Sequence, residues 1–270
     1  MSAPPPSLSI VVPAYDEAAC IGDSLRTIAS YLERRGDPTR CEIVVVDDGS
    51  RDDTAALARA AAREVGVPTL VVRCARQRGK GAALRAGFAT ASGERVLFSD
   101  ADLSTPIESA DALLAAVDAG ADVAIGSRKR PGARVEVHQP WWRESMGKVF
   151  TALVRLAIAP VSDATCGFKA FRGDAGRALF SRLRIDGWSF DAELLFLATR
   201  DGLRVREVPV VWRDRPGTKV RLAPAVVSSA WGLVRIRANS ARGLYERPAP
   251  PIDVAAHWSN RAAQAPGAPE

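Results

Sequence analysis

The sequence predicts an α/β fold: a mostly parallel sheet with helices on both faces. Three observations carry that reading. Short apolar runs alternate with stretches whose apolar residues recur every three or four positions, as in crossover-connected parallel strands. The runs are apolar at consecutive positions, as strands covered on both faces are. Two of them end in neighbouring acids, and the place just past a strand's carboxyl end is where open α/β sheets bind ligands.

Leu8-Ser9-Ile10-Val11-Val12-Pro13 reads as the first strand and Pro13-Ala14-Tyr15-Asp16-Glu17 as the loop after it. A helix then runs to about Arg35, with Ile21, Leu25, Ile28 and Leu32 on one face. Glu42 to Asp47 is a second buried strand, followed by Asp47-Asp48-Gly49-Ser50 and a helix carrying Leu57, Ala61 and Val65. Thr69 to Cys74 is a third strand, and Gly79-Lys80-Gly81 precedes a helix with Leu84, Phe88 and Ala91. Val96-Leu97-Phe98 forms a fourth strand that runs into Asp100-Ala101-Asp102. Thr105-Pro106-Ile107-Glu108 has the pattern of a helix start: Thr as cap, Pro at the first helical position, Glu three residues past the cap. Asp122 to Gly126 is a further strand.

The second half differs in character. Ser127-Arg128-Lys129-Arg130-Pro131-Gly132 is a basic loop, and Trp141-Trp142-Arg143 leads into a helix over 144–158. Asp163 to Phe171 follows, then a helix, then Trp188-Ser189-Phe190-Asp191-Ala192-Glu193 opening another apolar helix. Val205 to Trp212 reads as one strand, Arg213 to Arg221 as a second basic loop, and 224–240 as a last helix. The expectation is a single domain over 8–245, with 8–127 and 128–245 as its two halves. Residues 1–7 and the Pro/Ala-rich stretch 246–270 are expected to be disordered tails.

Composition narrows the function. Hydrophobic residues make up 47% of the 270-residue chain and charged residues 25%, the balance of a soluble domain with a substantial core. A formal net charge of +6 favours an anionic partner: a phosphorylated substrate, anionic lipid or nucleic acid. Nucleic acid fits poorly, because no RRM, KH or zinc signature is present and acids at strand ends repel phosphate in the absence of a metal. Cys20, Cys41, Cys74 and Cys166 are scattered without a C-x-x-C pair and read as reduced thiols. No run approaches the ~20 apolar residues of a membrane span, and residues 1–7 hold three prolines but no signal-peptide core. Neither G-x-G-x-x-G nor G-x-x-x-x-G-K-[ST] occurs, so the common glycine-rich phosphate loops are excluded. Asp100 and Asp102 supply two hard oxygen donors at a strand end, a set that suits Mg²⁺ or Mn²⁺ accompanied by substrate phosphates.

Four features together resemble glycosyltransferase family 2, the inverting transferases of GT-A fold, whose mostly parallel sheet is Rossmann-like. They are Val11-Val12-Pro13-Ala14-Tyr15-Asp16-Glu17, Val45-Val46-Asp47-Asp48-Gly49-Ser50, Gly79-Lys80-Gly81 with Arg85 and Gly87, and Asp100-Ala101-Asp102. Five segments of the remainder resemble the dolichyl-phosphate β-glucosyltransferase group and lie close to dolichyl-phosphate mannose synthases. These are Ala101 to Pro106, Gly126-Ser127-Arg128, Cys166-Gly167-Phe168-Lys169, Trp188 to Glu193 and Arg215-Pro216-Gly217-Thr218-Lys219. The chain departs from the processive synthases in lacking Q-x-x-R-W, and from the eukaryotic glucosyltransferases in lacking their N-terminal anchor helix.

The resemblance implies that Pro13, Ala14, Tyr15, Glu17, Asp47, Asp48, Lys80, Asp100 and Ala101 bind the sugar nucleotide, with Asp100 and Asp102 holding Mg²⁺ or Mn²⁺. UDP-glucose is the favoured donor, with GDP-mannose and UDP-N-acetylglucosamine left open. The implied acceptor is a polyprenyl monophosphate, with Arg128, Arg143, Lys169, Arg215 and Lys219 to meet its phosphate; Arg forks match phosphate oxygens. A soluble family 2 transferase with a non-lipid acceptor is the alternative. Asp102, Asp191 and Asp163 are the candidate catalytic groups. The 144–158 and 224–240 helices each have an apolar side flanked by Arg, which suits contact with the cytoplasmic face of a membrane.

Overall fold

The computed structural model describes residues 4–36, 38–137, 151–152, 154–155, 158, 160–213 and 222–260, with backbone alone for 222–230. Ten strands are described: β1 Leu8–Ala14, β2 Cys41–Asp47, β3 Thr69–Cys74, β4 Arg95–Ser99, β5 Val123–Ser127, β6 Arg134–Val137, β7 Phe168–Arg172, β8 Val205–Pro209, β9 Val211–Arg213 and β10 Val254–Ser259. The described α-helices are α1 Ile21–Arg34, α2 Thr54–Glu64, α3 Lys80–Thr90, α4 Ala110–Asp118, α5 Gly173–Arg182, α6 Phe190–Arg200 and α7 Leu222–Ala241.

Eight strands form one sheet in the order β10-β3-β2-β1-β4-β7-β5-β8, and β6 pairs with β9 in a small second sheet. Strands β3, β2, β1 and β4 run parallel, β7 is antiparallel to both β4 and β5, and β8 is parallel to β5. Within this sheet all but β7 and β10 therefore point one way, the mostly parallel arrangement expected. The consecutive apolar runs have a direct cause. Ile10 and Val12 of β1, with Ile43 and Val45 of β2, enter one core; Val11, Val44 and Val46 enter the other. Helices α1 and α4 supply Leu25, Ile28, Leu113 and Leu114 to the first core, and α3, α5 and α6 supply Leu84, Phe88, Phe180 and Leu194 to the second.

The direction of the strands decides where the site lies. The carboxyl ends of β1, β2, β4 and β5 share one edge of the sheet. Strand β7 runs the other way, so its start lies at that edge: Ser99 is in register with Phe168. Strand β8 ends there too, with Pro209 opposite Ser127.

Four expectations need correction. The tail is ordered through 254–259: β10 pairs antiparallel with the β3 edge, and Asn260 donates to Ala62 O (2.8 Å) and accepts from Thr69 N (2.7 Å). At the other end Pro6 and Ser7 are also tied down, accepting from Glu94 N and Arg95 N at 2.9 and 3.3 Å. The stretch 205–212 is two strands in different sheets, because Val210 N donates to Ser127 O while Val210 O accepts from Arg134 N. Thr105 caps no helix: Pro106 is extended (ψ 138°), and a 3-10 turn over Ile107–Ser109 leads into α4. The four cysteines are free thiols, as the spacing suggested. The expected helix over 144–158 falls largely outside the described residues.

Candidate active site

The edge gathers acids from three strands, and each is held differently. Asp47 ends β2 fully buried; its Oδ1 accepts from Ser50 N at 2.9 Å. Its Oδ2 has no hydrogen bond among the described residues and faces Arg73 Nε at 3.4 Å. Asp48 spends both oxygens on the loop before α3, accepting from Arg78 N (3.0 Å) and Gly79 N (2.7 Å). Burial pushes its carboxyl up to about 6 despite those bonds. Pro13 and Ala14 are buried within β1, and Ala14 O accepts from Asp48 N at 2.9 Å. Tyr15 and Glu17 follow half-buried, with Glu17 N donating to Thr54 Oγ1 at 2.8 Å.

Asp100 and Asp102 flank a tight turn after β4. Leu103 adopts φ +50°, and Asp102 accepts from Ser104 N (2.9 Å) and Ser104 Oγ (2.8 Å). Ala101 between them packs inward, its carbonyl taken by Ser24 Oγ at 2.6 Å. Lys80, first residue of α3, places Nζ on Asp100 Oδ1. Burial would lower the Lys80 ammonium, but the Asp100 and Asp191 carboxylates more than offset it and hold it above the ordinary lysine range. Gly167 must be glycine here. Its carbonyl accepts from Asp100 N at 3.2 Å, and a methyl at its Cα would overlap the Asp100 carboxylate.

Beyond this pair the acids are matched to cations. Asp163 is fully buried and takes a two-pronged Arg128 guanidinium at 2.7 and 2.8 Å, with Arg128 N adding 3.0 Å. Burial would raise Asp163, but Arg128 carries it below the usual carboxylate range. Arg128 also lies over the Trp212 ring, 5.4 Å from the centroid. Lys169, fully buried on β7, donates to Cys166 O (2.6 Å) and to Asp191 Oδ1. Burial raises the Asp191 carboxyl, an effect that Lys169 and Lys80 reduce. The structure thus brings Asp100, Asp102, Asp191, Lys80 and Lys169 into one charged cluster beside the α3 and α6 N-termini, where the helix dipole adds positive field. It gives Arg128 and Asp163 to each other. Arg143, Arg215 and Lys219 lie outside the described residues.

One residue outside every motif organises this cluster. Asp186 O accepts from Gly81 N at 2.8 Å, and its carboxylate holds Arg78 (2.6 and 2.9 Å) and Arg85 (3.0 Å). Arg85 in turn reaches Pro250 O, so the C-terminal strand's approach segment braces the turn that carries Lys80. Gly79 and Gly81 allow this approach, since a Cβ on either would lie 2.5 Å from the Asp186 or Ile185 carbonyl. The only sequence signal was the Gly79-Lys80-Gly81 spacing, which demands close backbone contact without naming the partner.

The donor set fits a divalent ion. Two hard carboxylates share one turn and Asp100 is 38% exposed, so an ion could reach it by taking over the oxygen that the Lys80 ammonium holds. Among the described residues no cluster of three or more His, Cys, Asp or Glu side chains stands ready to enclose a metal, so other oxygens must complete its shell.

Acids in place of a glycine-rich loop thus stand at the carboxyl edge of a Rossmann-like α/β sheet, the place where such sheets bind ligands. Residues 9–180 match the glycosyl transferase family 2 profile, and the chain belongs to that family; it is a glycosyltransferase. It is 35% identical over 224 residues to a dolichyl-phosphate beta-glucosyltransferase of Drosophila melanogaster, covering 79% of this chain and 69% of that one. It is 32% identical over 255 residues to the Saccharomyces cerevisiae enzyme of the same name, covering 88% and 76%. In fold it is similar to glucosyl-3-phosphoglycerate synthase from Mycobacterium tuberculosis, solved with Mg²⁺ and UDP. That match has a TM-score of 0.64 and 22% identity, over 86% of this chain and 79% of that one.

Proposed function

We propose that the protein transfers glucose from UDP-glucose to a polyprenyl monophosphate of the dolichyl type, with inversion, giving a β-linked lipid-phosphate sugar. The observation that carries this reading is the similarity to dolichyl-phosphate beta-glucosyltransferases along about four-fifths of the chain. Asp47 Oδ2, buried with the Arg73 guanidinium 3.4 Å away but no hydrogen bond among the described residues, supports a nucleoside at the β2 end, since a base N–H or ribose hydroxyl would supply the missing hydrogen bond. Asp100 and Asp102 would hold Mg²⁺ or Mn²⁺, which neutralises charge on a departing nucleoside diphosphate.

The chain's own residues do the rest. Lys80 lies beside Asp100, where it adds a second positive charge for the diphosphate, and the positive end of the α3 dipole lies at the same place. A phosphate monoester is already an anionic nucleophile at neutral pH, so positioning and charge compensation matter more than a strong base. Asp191, tied to Lys169, serves to orient that lysine and set the local charge. Arg213 N donates to Ser104 O at 2.8 Å, which ties the end of β9 to the Asp102 turn, a few positions in sequence before Arg215 and Lys219. Those two residues and Arg143 are the acceptor-phosphate ligands in this reading, with Arg128 holding the floor through Asp163. An acceptor of this kind places the enzyme on the cytoplasmic face of a membrane. Among the described residues no helix is long and apolar enough to cross one.

The test is a transfer assay with pure polyprenyl phosphate, offering UDP-glucose, GDP-mannose or UDP-N-acetylglucosamine, with Mg²⁺ or Mn²⁺ and with EDTA. Glucose entering the organic phase from UDP-glucose, and lost with EDTA, is the expected result. Transfer from GDP-mannose alone would reassign the donor. Metal-dependent donor hydrolysis without lipid product would replace the acceptor with a soluble one.

A further inference from the structure

Helix α7 is two-faced over its described side chains. Gly232, Leu233 and Ile236 turn inward, with Ile236 fully buried. Trp231 and Val234, one helical turn apart, are 65% and 54% exposed, and Arg235 shares their face. A second large exposed aromatic stands beside them. Gly232 packs so closely on Ser189 that an added Cβ would lie 2.5 Å from the Ser189 Cβ, and Trp188, next in the chain, is 49% exposed. The Trp188 ring lies 5.9 Å from Lys80 Nζ, the ammonium on Asp100. An apolar lip therefore runs from Val234 and Trp231 across the Gly232–Ser189 contact to Trp188 and ends at the acidic site.

Its charge is one-sided. Between Asp214 and Glu246 the chain carries six Arg or Lys residues and no acid. Arg235 and Arg242 are exposed and make no ion pair among the described residues. Scattered exposed apolar residues are ordinary, but contiguous aromatics rimmed by unpaired cations mark an interaction surface. Tryptophan beside arginine is the combination that settles at the headgroup level of a bilayer and favours anionic lipid.

We propose that the Trp188–Trp231–Val234 lip, with Arg235 and Arg242, is the surface that seats the enzyme on an anionic bilayer. In that pose the Asp100–Lys80 site opens at headgroup level, where a lipid phosphate resides. The inference rests on the lipid-acceptor reading for its purpose but is tested apart from it. The probe is flotation with phosphatidylcholine vesicles with and without phosphatidylglycerol, using the full chain with neither nucleotide nor acceptor. The wild type binds vesicles, more tightly with phosphatidylglycerol and less at high salt. The Trp231→Ser/Val234→Ser double variant loses binding roughly tenfold at unchanged thermal stability, and Arg235→Glu removes the preference for phosphatidylglycerol. With polyprenyl phosphate embedded in vesicles the double variant transfers glucose about tenfold more slowly, while a short, water-soluble prenyl phosphate is used at the wild-type rate. Failure of the wild type to float, or equal flotation of the double variant, overturns the proposal. Flotation that needs the lip, with no transfer to either prenyl phosphate, leaves the surface standing and overturns the acceptor.

Discussion

The acids at the β2 end and those between β4 and α6 look alike in sequence and are held by opposite means. Asp47 and Asp48 are satisfied mainly by backbone N–H groups, from Ser50, Arg78 and Gly79. Asp100, Asp163 and Asp191 are satisfied by Lys80, Arg128 and Lys169. A carboxylate oxygen bound to backbone fixes a loop and has little freedom to do anything else, and of these four oxygens only Asp47 Oδ2 is left without such a bond. One matched to a side-chain cation can exchange that partner for another charge, provided the pair is reachable from solvent. By that criterion the Asp100–Lys80 pair, with Asp100 38% exposed, is built for exchange, whereas Asp163, fully buried, is built into the frame.

The sharpest way to break this contrast is at Asp163. Arg128→Ala leaves a fully buried carboxylate without its guanidinium, and breaking a buried pair on one side costs about 3–5 kcal/mol. Chemical denaturation should show that loss, with Arg128→Lys in between because a single ammonium cannot reproduce the fork. Unchanged stability accompanied by a raised KM for the lipid phosphate would make Arg128 a substrate ligand instead. Asp102→Ala tests the other class. Its hydrogen bonds are local to Ser104, so the fold should persist while transfer falls about 100-fold or more. Near-normal turnover in that variant would remove the metal-holding role.

The backbone-bound acids yield a smaller effect, with a sign of its own. Asp48 is pushed by burial from an ordinary 3.8 up to about 6 in the folded chain. Between about pH 4 and 6 the native state keeps a proton that the unfolded chain has released. The group's contribution to stability is therefore present below about pH 4, lost as pH rises through 6, and level above that. The wild type measured against Asp48→Asn in urea should lose on the order of 2 kcal/mol of relative stability across that window. Asp163, held low, has the opposite sign and gives up stability only as pH falls below the ordinary aspartate range. A relative stability that rises from pH 4 to 6 would show that Asp48 is not the desolvated acid described here.

What the sequence made legible follows from where the information lies. Strands β1 to β5 and helix α1 were readable because their burial is local: each apolar run carries its own two faces and α1 its own stripe, whereas Leu57, read as part of the apolar face of α2, is exposed, and α3 is buried nearly all round. Strand β10 was not. Val254–Ser259 is mostly half-buried or exposed, and it is a strand because the β3 edge needed a partner. The division of 205–213 into β8 and β9 was hidden for the same reason, since it depends on where β5 and β6 offer their edges. The acids of the site were visible as residues but their partners were not, because Arg128–Asp163 and Lys169–Asp191 close loops of 35 and 22 residues. Charge in a sequence says that a cation is present, not that an acid elsewhere has claimed it.

Asp186 is the extreme case, and it supplies the finest test of the comparison. Its carbonyl holds the α3 start while its carboxylate takes Arg78 from 108 residues away and Arg85 from 101. It belongs to neither class, being a carboxylate that neutralises two cations in order to place a third residue, Lys80. Asp186→Asn keeps the backbone contact and the side-chain shape but removes the charge, so the turn should stay folded and loosen. Because Lys80 faces the diphosphate in the proposed reading, the expected result is a KM for UDP-glucose raised roughly threefold to tenfold with kcat little changed. Asp186→Glu should restore part of that loss, since it returns the charge on a longer arm. A fall in kcat at constant KM would instead tie the turn to the transition state, and the Asp100–Lys80 pair would then act in the transfer step rather than in holding the donor.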